Sequence, residues 1–111
     1  MDLMNINRYN IYLADLNPTQ GGEMNKVRPV VVISMDAMND ALSTVVVCPL
    51  TTQLHPKWRS RIQIKSEGKS AEIAVDQIRT ISKIRLKKKI GSLSSANANE
   101  LRRLISEMYG E

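Results

Sequence analysis

Residues 28–34, "RPVVVIS", limit the fold more than any other stretch of the chain. Four branched apolar residues follow Pro29 with no polar residue to alternate with them. Branched side chains lose rotamer freedom in a helix and pack well on a pleated surface. A strand with one wet face alternates, so an unbroken apolar run reads as a central strand. Pro29 fixes its own φ and donates no hydrogen bond, which suits the first position of a strand. It also biases Arg28 toward an extended conformation. A cation therefore stands at the stiff junction where a loop becomes a strand, either as a solvated arginine or as a charge positioned for chemistry.

The rest of the chain supplies strands and one helix. "YNIYLADL" (9–16) alternates through Ile11 and Leu13 and reads as a first strand. "NPTQGGEMNK" (17–26) is loop chemistry, long for a tight hairpin, and long loops in compact domains tend to be functional. Residues 35–43 fit a short helical turn, and 44–52, "TVVVCPLTT", a third strand in which Pro49 marks an edge, bulge or bend. Residues 53–58 read as a loop, 59–65 as an alternating strand and 66–70 as a turn. Residues 71–81 read as one or two strand segments around Asp76 and Gln77, and 82–93 as mixed with a short helix. Residues 94–110 form the one good helix. Ser94, Ser95 and Asn97 are its candidate N-caps, Asn97 and Glu100 have capping-box spacing, and Gly110 is its stop. Leu101, Leu104, Ile105 and Met108 form its apolar stripe. The expected fold is mainly β with α, a small barrel-like or sandwich-like sheet with a helix packed on it, in a single domain over 1–111.

With 42% hydrophobic and 24% charged residues, the chain is expected to fold around one core. The first residues lack the basic and apolar segments of a signal peptide, and no apolar run nears the ~20 residues of a membrane helix. A cytoplasmic protein with no membrane contact is expected. The single cysteine, Cys48, lies in an apolar strand and reads as an inert core thiol. The net charge of +5 is uneven: residues 57–89 carry eleven basic and three acidic side chains, and the flanking segments are slightly acidic. Such a field attracts polyanions, nucleic acid or an acidic protein segment, although a solvated basic face has the same composition.

One histidine, His55, and one cysteine exclude paired-histidine acid–base chemistry and the usual zinc sets. No phosphate-binding Gly-Lys loop of the Walker type is present. What remains is a set of polar residues at the ends of apolar strands: Glu23, Arg28, Thr51 with Thr52, and Asp76 with Gln77 and Arg79. That set suits phosphate chemistry. Arginine binds phosphate bidentately and stabilises charge developing on its oxygens. Threonine hydroxyls donate to the same oxygens, and a carboxylate can take the proton of a ribose 2′-OH. RNA brings its own nucleophile, so this chemistry needs no metal or other cofactor. With a pKa above ~12, arginine serves as a clamp before it serves as a proton shuttle.

"DLNPTQGGEMNKVRPVVVIS", "VVVCPLTTQ" and "AVDQIRTISKIRL", in this order and spacing, resemble the MazF/PemK family of toxin endoribonucleases. The resemblance runs from about Tyr9 to Met108. It implies an SH3-like β-barrel with a C-terminal helix, a homodimer, and metal-independent cleavage of single-stranded RNA at a short motif through a 2′,3′-cyclic phosphate. It implies an antitoxin partner whose acidic tail covers the RNA groove. Residue by residue, Arg28 matches the catalytic arginine, Thr51 the threonine that stabilises the transition state, Glu23 an acidic residue linked to activity, and Asp76 a general base. Gln20, Lys26, Thr52, Gln53, His55, Lys57, Trp58, Gln77 and Arg79 are the expected RNA contacts; His55 and Trp58 sit in a loop and could stack on bases, or Trp58 could cap the core or the dimer seam. Some members carry a histidine in the first loop and an arginine two residues before the aspartate; here those places hold Gln20 or a neighbour, and Ala74. Two rivals share the shape: a non-enzymatic gyrase poison of the CcdB type, which relies on an aromatic near the C-terminus such as Tyr109, and a plain RNA-binding module.

Overall fold

The computed structural model describes residues 5–16 and 27–110. Among these residues, seven strands and two α-helices follow in the order β1 (Asn10–Asp15), β2 (Val27–Val32), α1 (Asp36–Ala41), β3 (Thr44–Thr51), β4 (Arg61–Ser66), β5 (Lys69–Ala74), β6 (Arg79–Ser82), β7 (Leu86–Ser92) and α2 (Ser95–Tyr109). Single 3₁₀ turns cover Val75–Gln77 and Lys83–Arg85. All pairings are antiparallel, in the order β4-β5-β3-β2-β1-β7 with β6 also on β3, and the sheet curls into a half-barrel. Residues 82–93, expected to be mixed, are mostly strand β7, with one 3₁₀ turn ahead of it.

The apolar run of β2 is explained by two cores. Val31 and Ile33 point into one, with Ile11, Cys48, Leu50, Ile73, Leu101 and Leu104. Val30 and Val32 point into the other, with Tyr12, Val45, Val47, Ile81 and Leu86. Over Val30–Ile33 the chain is wet on neither face, so that stretch has no position for a polar side chain. The apolar stripe of α2 closes the first core, with Leu101 and Leu104 buried and Ile105 and Met108 packed beside them.

Pro49 marks a change of partner. Residues 44–47 of β3 pair with β6, residues 50–51 pair with β5, and Pro49 lies between. A residue without an N–H is tolerated where the ladder on one side is interrupted. β4 and β5 join through a two-residue hairpin in which Glu67 (φ 52°) and Gly68 (φ 78°) are both left-handed, as a type I′ turn requires.

Ser94 caps α2, its Oγ accepting the Asn97 N–H at 3.1 Å. Asn97 is therefore inside the helix and forms no capping box with Glu100. Gly110 ends it at an extended φ of −89°; a Cβ there would lie 2.7 Å from the Ser106 carbonyl oxygen, so the glycine is needed for close approach. No described helix is long and apolar enough to cross a membrane.

Candidate nucleic-acid cleft

β2 begins where β3 ends. Val30 faces Pro49 across the ladder, and continuing that register sets Arg28 alongside Thr51. Both line a cleft of about 460 Å³ with Leu16, Pro49, Gln53, His55, Arg61, Ala74, Gln77 and Arg79. They also line an adjoining recess of about 160 Å³ with Thr52, Glu67 and Lys69. Thr51 Oγ1 accepts the Gln53 N–H at 3.0 Å, which fixes the hydroxyl and leaves its proton to donate. Arg28 is exposed, and among the described residues neither it nor Arg79 forms an ion pair.

The third arginine of the cleft, Arg61, is different. Its side chain is 5% exposed, with Nη1 2.6 Å from Glu72 Oε2 and Nε 2.8 Å from Asp76 Oδ1. Glu72 is 0% exposed and also accepts from Gln63 Nε2 at 2.7 Å and the His55 N–H at 2.8 Å. A buried carboxylate survives only with such a set of donors. Burial pushes Glu72 up, but Gln63, the His55 N–H and Arg61 outweigh it and hold the carboxyl below its ordinary range. Burial likewise raises Asp76, but bonds from Arg61 and Ser60 outweigh it and hold that carboxyl below its ordinary range too. The Asp76 bond leads the contacts that raise Arg61.

The network organises the loop ahead of β4. Glu72 fixes the His55 backbone, the His55 and Trp58 rings stack at 3.9 Å and 10°, and the Arg61 guanidinium lies 4.6 Å from the Trp58 ring centre. Trp58 remains 48% exposed. On the other side, Tyr109 Oη donates to the Val75 carbonyl at 2.9 Å and ties the end of α2 to the 3₁₀ turn that carries Asp76 and Gln77.

Of the residues expected to act, the fold brings Arg28, Thr51, Gln53, His55, Gln77 and Arg79 to one cleft, and Thr52 to the adjoining recess. Asp76 lines neither cavity; it is partly exposed and paired to Arg61. Lys57 is exposed in the loop beside Trp58 and lines neither cavity. Gln20, Glu23 and Lys26 lie outside the described residues. Sequence reasoning missed Arg61 and Glu72. The available signal was a glutamate between Ala71 and Ile73 in an apolar strand, a position that demands a partner. Cys48 is buried, and burial, with a smaller contribution from the Asp76 charge, pushes its thiol up to about 12, so it is unreactive.

The fold and cleft define a class: a small half-barrel protein whose cleft offers two guanidiniums with no ion-pair partner among the described residues, beside a fixed threonine, an arrangement for an anionic ligand. The family model of the PemK-like, MazF-like toxin of type II toxin-antitoxin systems matches residues 7–109, and the chain belongs to that family. Solved structures agree on the fold. The MazE-MazF complex (Form-III) of Deinococcus radiodurans superposes with a TM-score of 0.82 at 17% identity, covering 96% of this chain and 98% of that one. An endoribonuclease from a mycobacterial species gives 0.78 at 22% identity, covering 98% and 96%. The Mycobacterium tuberculosis toxin MazF-mt6 gives 0.76 at 21% identity, covering 90% and 95%.

Proposed function

We propose that the chain is a cytoplasmic endoribonuclease toxin that cuts single-stranded RNA, acts as a homodimer and is restrained by an antitoxin with an acidic tail. The observation that carries this is the pairing of Arg28 with Thr51 on one cleft, where Arg28 has no carboxylate partner among the described residues and Arg61 beside it has two. A compensated arginine holds structure, and an uncompensated one holds a phosphate.

In the proposed reaction the ribose 2′-oxygen attacks the adjacent phosphorus while a base takes its proton. The P–O5′ bond breaks, a 2′,3′-cyclic phosphate forms, and the 5′-oxygen leaves with a proton. Arg28 and Thr51 hold the non-bridging oxygens as charge builds on them. Arg79, Gln77 and Gln53 position the strand, and the His55–Trp58 stack receives a base. Asp76, bound to Arg61, is a positioning residue in this scheme, and Glu23 is the acidic residue that the family resemblance links to activity. The poison reading is weaker because the hydroxyl of Tyr109 is committed to Val75.

The test is incubation with a long single-stranded RNA in excess EDTA, with the ends mapped. Discrete cuts bearing 2′,3′-cyclic phosphate, absent with Arg28→Ala, are expected. Intact RNA from folded, antitoxin-free protein would reject the proposal.

A further inference from the structure

A second basic site lies at the other end of β1, and no role has been given to it. Arg8, Tyr9, Asn10, Ser92, Asn99 and Arg102 line a recess of about 320 Å³. The Arg8 and Arg102 guanidinium carbons lie 5.2 and 5.5 Å from the centre of the Tyr9 ring, and so within about 11 Å of each other. That is somewhat more than the ~8 Å Debye length at physiological salt, so their mutual repulsion is largely screened and both exposed charges stay available to an anion in the recess. Neither forms an ion pair among the described residues. Arg8 Nε donates to the Ile33 carbonyl and Arg102 Nη1 to Asn99, both neutral acceptors. Asp36 accepts the backbone N–H of Arg8 at 2.7 Å.

The ring between them is held in an unusual way. Tyr9 has a φ of 71°, a left-handed conformation uncommon for an aromatic residue, and its hydroxyl is buried without a hydrogen-bond partner among the described residues. Backbone outliers and unsatisfied buried groups cluster where a surface is shaped for a ligand.

β7 connects this recess to the cleft. It is an edge strand whose register on β1 runs from Leu86 opposite Ala14 to Ser92 opposite Asn10. Leu16 lines the cleft and Asn10 lines the recess, so the six residue steps between them span roughly 20 Å at ~3.3 Å per residue. Lys87, Lys88 and Lys89 are exposed along that span.

We propose that the Arg8–Arg102 recess is a phosphate subsite for RNA flanking the cut, reached along the lysines of β7. It rests on the ribonuclease reading above. Arginine forks bind phosphate oxygens bidentately, and a phosphate in the recess can meet both cations at short range. The consequence is a footprint longer than the residues read at the cleft.

The test uses RNA of five and of twelve nucleotides around the mapped cut, each with a 2′-deoxy sugar at the attacking nucleotide to block cleavage. Wild-type protein should bind the longer RNA roughly 10-fold or more tightly than the shorter one, because added phosphate contacts dominate affinity. Arg102→Ala and the Arg8→Ala/Arg102→Ala pair should lose most of that gain. The slope of log K against log salt should fall by about 0.7 per lost contact. Cleavage of the all-ribose short RNA should stay the same. Arg102 is exposed on a helix, so its single variant keeps the test sound if Arg8→Ala disturbs folding.

Unchanged length dependence and slope in folded variants, with normal cleavage, would overturn the subsite alone. RNA that wild-type protein neither binds nor cuts would overturn the ribonuclease reading and the subsite together. A poly-glutamate peptide whose binding, unlike that of RNA, is lost on Arg102→Ala would reassign the recess to carboxylates and overturn the phosphate.

Discussion

Arg61 Nε donates to Asp76 Oδ1 at 2.8 Å while Nη1 of the same guanidinium donates to Glu72 at 2.6 Å, so one buried cation on β4 joins the 3₁₀ turn that carries Asp76 to strand β5. Through Glu72 and the stacked rings, the same group shapes the loop that carries His55 and Trp58.

Arg61→Ala should therefore destabilise the protein by about 3–5 kcal/mol, since it leaves a buried carboxylate without its cation. The Arg61→Met/Glu72→Met pair should recover most of that loss, because neither charge then needs a partner. Denaturant unfolding measures both. A double variant as unstable as the single one would show that the pair holds more than its own charges.

Asp76 and Arg28 should separate in activity. Cleavage by Arg28→Ala should fall roughly 10²-fold or more, the loss on removing a transition-state donor. Asp76→Asn should cost less than about 10-fold, because a carboxyl lowered by an arginine is a weak base at neutral pH. Single-turnover rates on one RNA compare them. Equal losses would restore Asp76 as the general base.

Acid should unfold the protein through the same acids. Glu72 and Asp76 both have folded pKa values below their unfolded values, which lie near 4.3 and 3.9. Their contribution is complete above those unfolded values and is lost as pH falls through the lower folded ones. The unfolding midpoint should be flat from about pH 5.5 to 8 and drop below about pH 4, with a shallower drop in Glu72→Gln. A decline beginning near pH 6 would implicate another group.

Tyr109→Phe should cost about 0.5–1.5 kcal/mol, the net worth of one hydrogen bond, by releasing the Val75 carbonyl. The released turn carries Gln77, so KM for RNA should rise more than kcat falls. Steady-state kinetics with a defined RNA would check this, and a variant identical to wild type would make the contact incidental.

Much of this fold was legible in local chemistry. The unbroken Val30–Ile33 run required a strand dry on both faces, and Val30 and Val31 do enter different cores. Ser94 and Gly110 bound the terminal helix, and Glu67-Gly68 forms the tight hairpin, because caps and turns are decided by a few neighbouring residues. Residues 82–93 were less legible. The lysines of β7 give an edge strand little apolar alternation, and its identity comes from pairing with β1.

Arg28 and Thr51 could be picked from the chain as polar residues at strand ends, and their resemblance to a known motif gave them roles. Their meeting at one cleft depends on the β2–β3 register, which is set by packing between residues far apart in the chain. The same reason hid the ion-pair network. Arg61 and Glu72 are eleven residues apart on two strands, and only the β4–β5 pairing, with a core behind it, makes one the necessary partner of the other. The sequence by itself determined the strands, the caps and the candidate chemistry, because these follow from each residue and its near neighbours. The tertiary structure alone decided which arginine is neutralised and which has no carboxylate partner among the described residues, because charge compensation depends on distance through space.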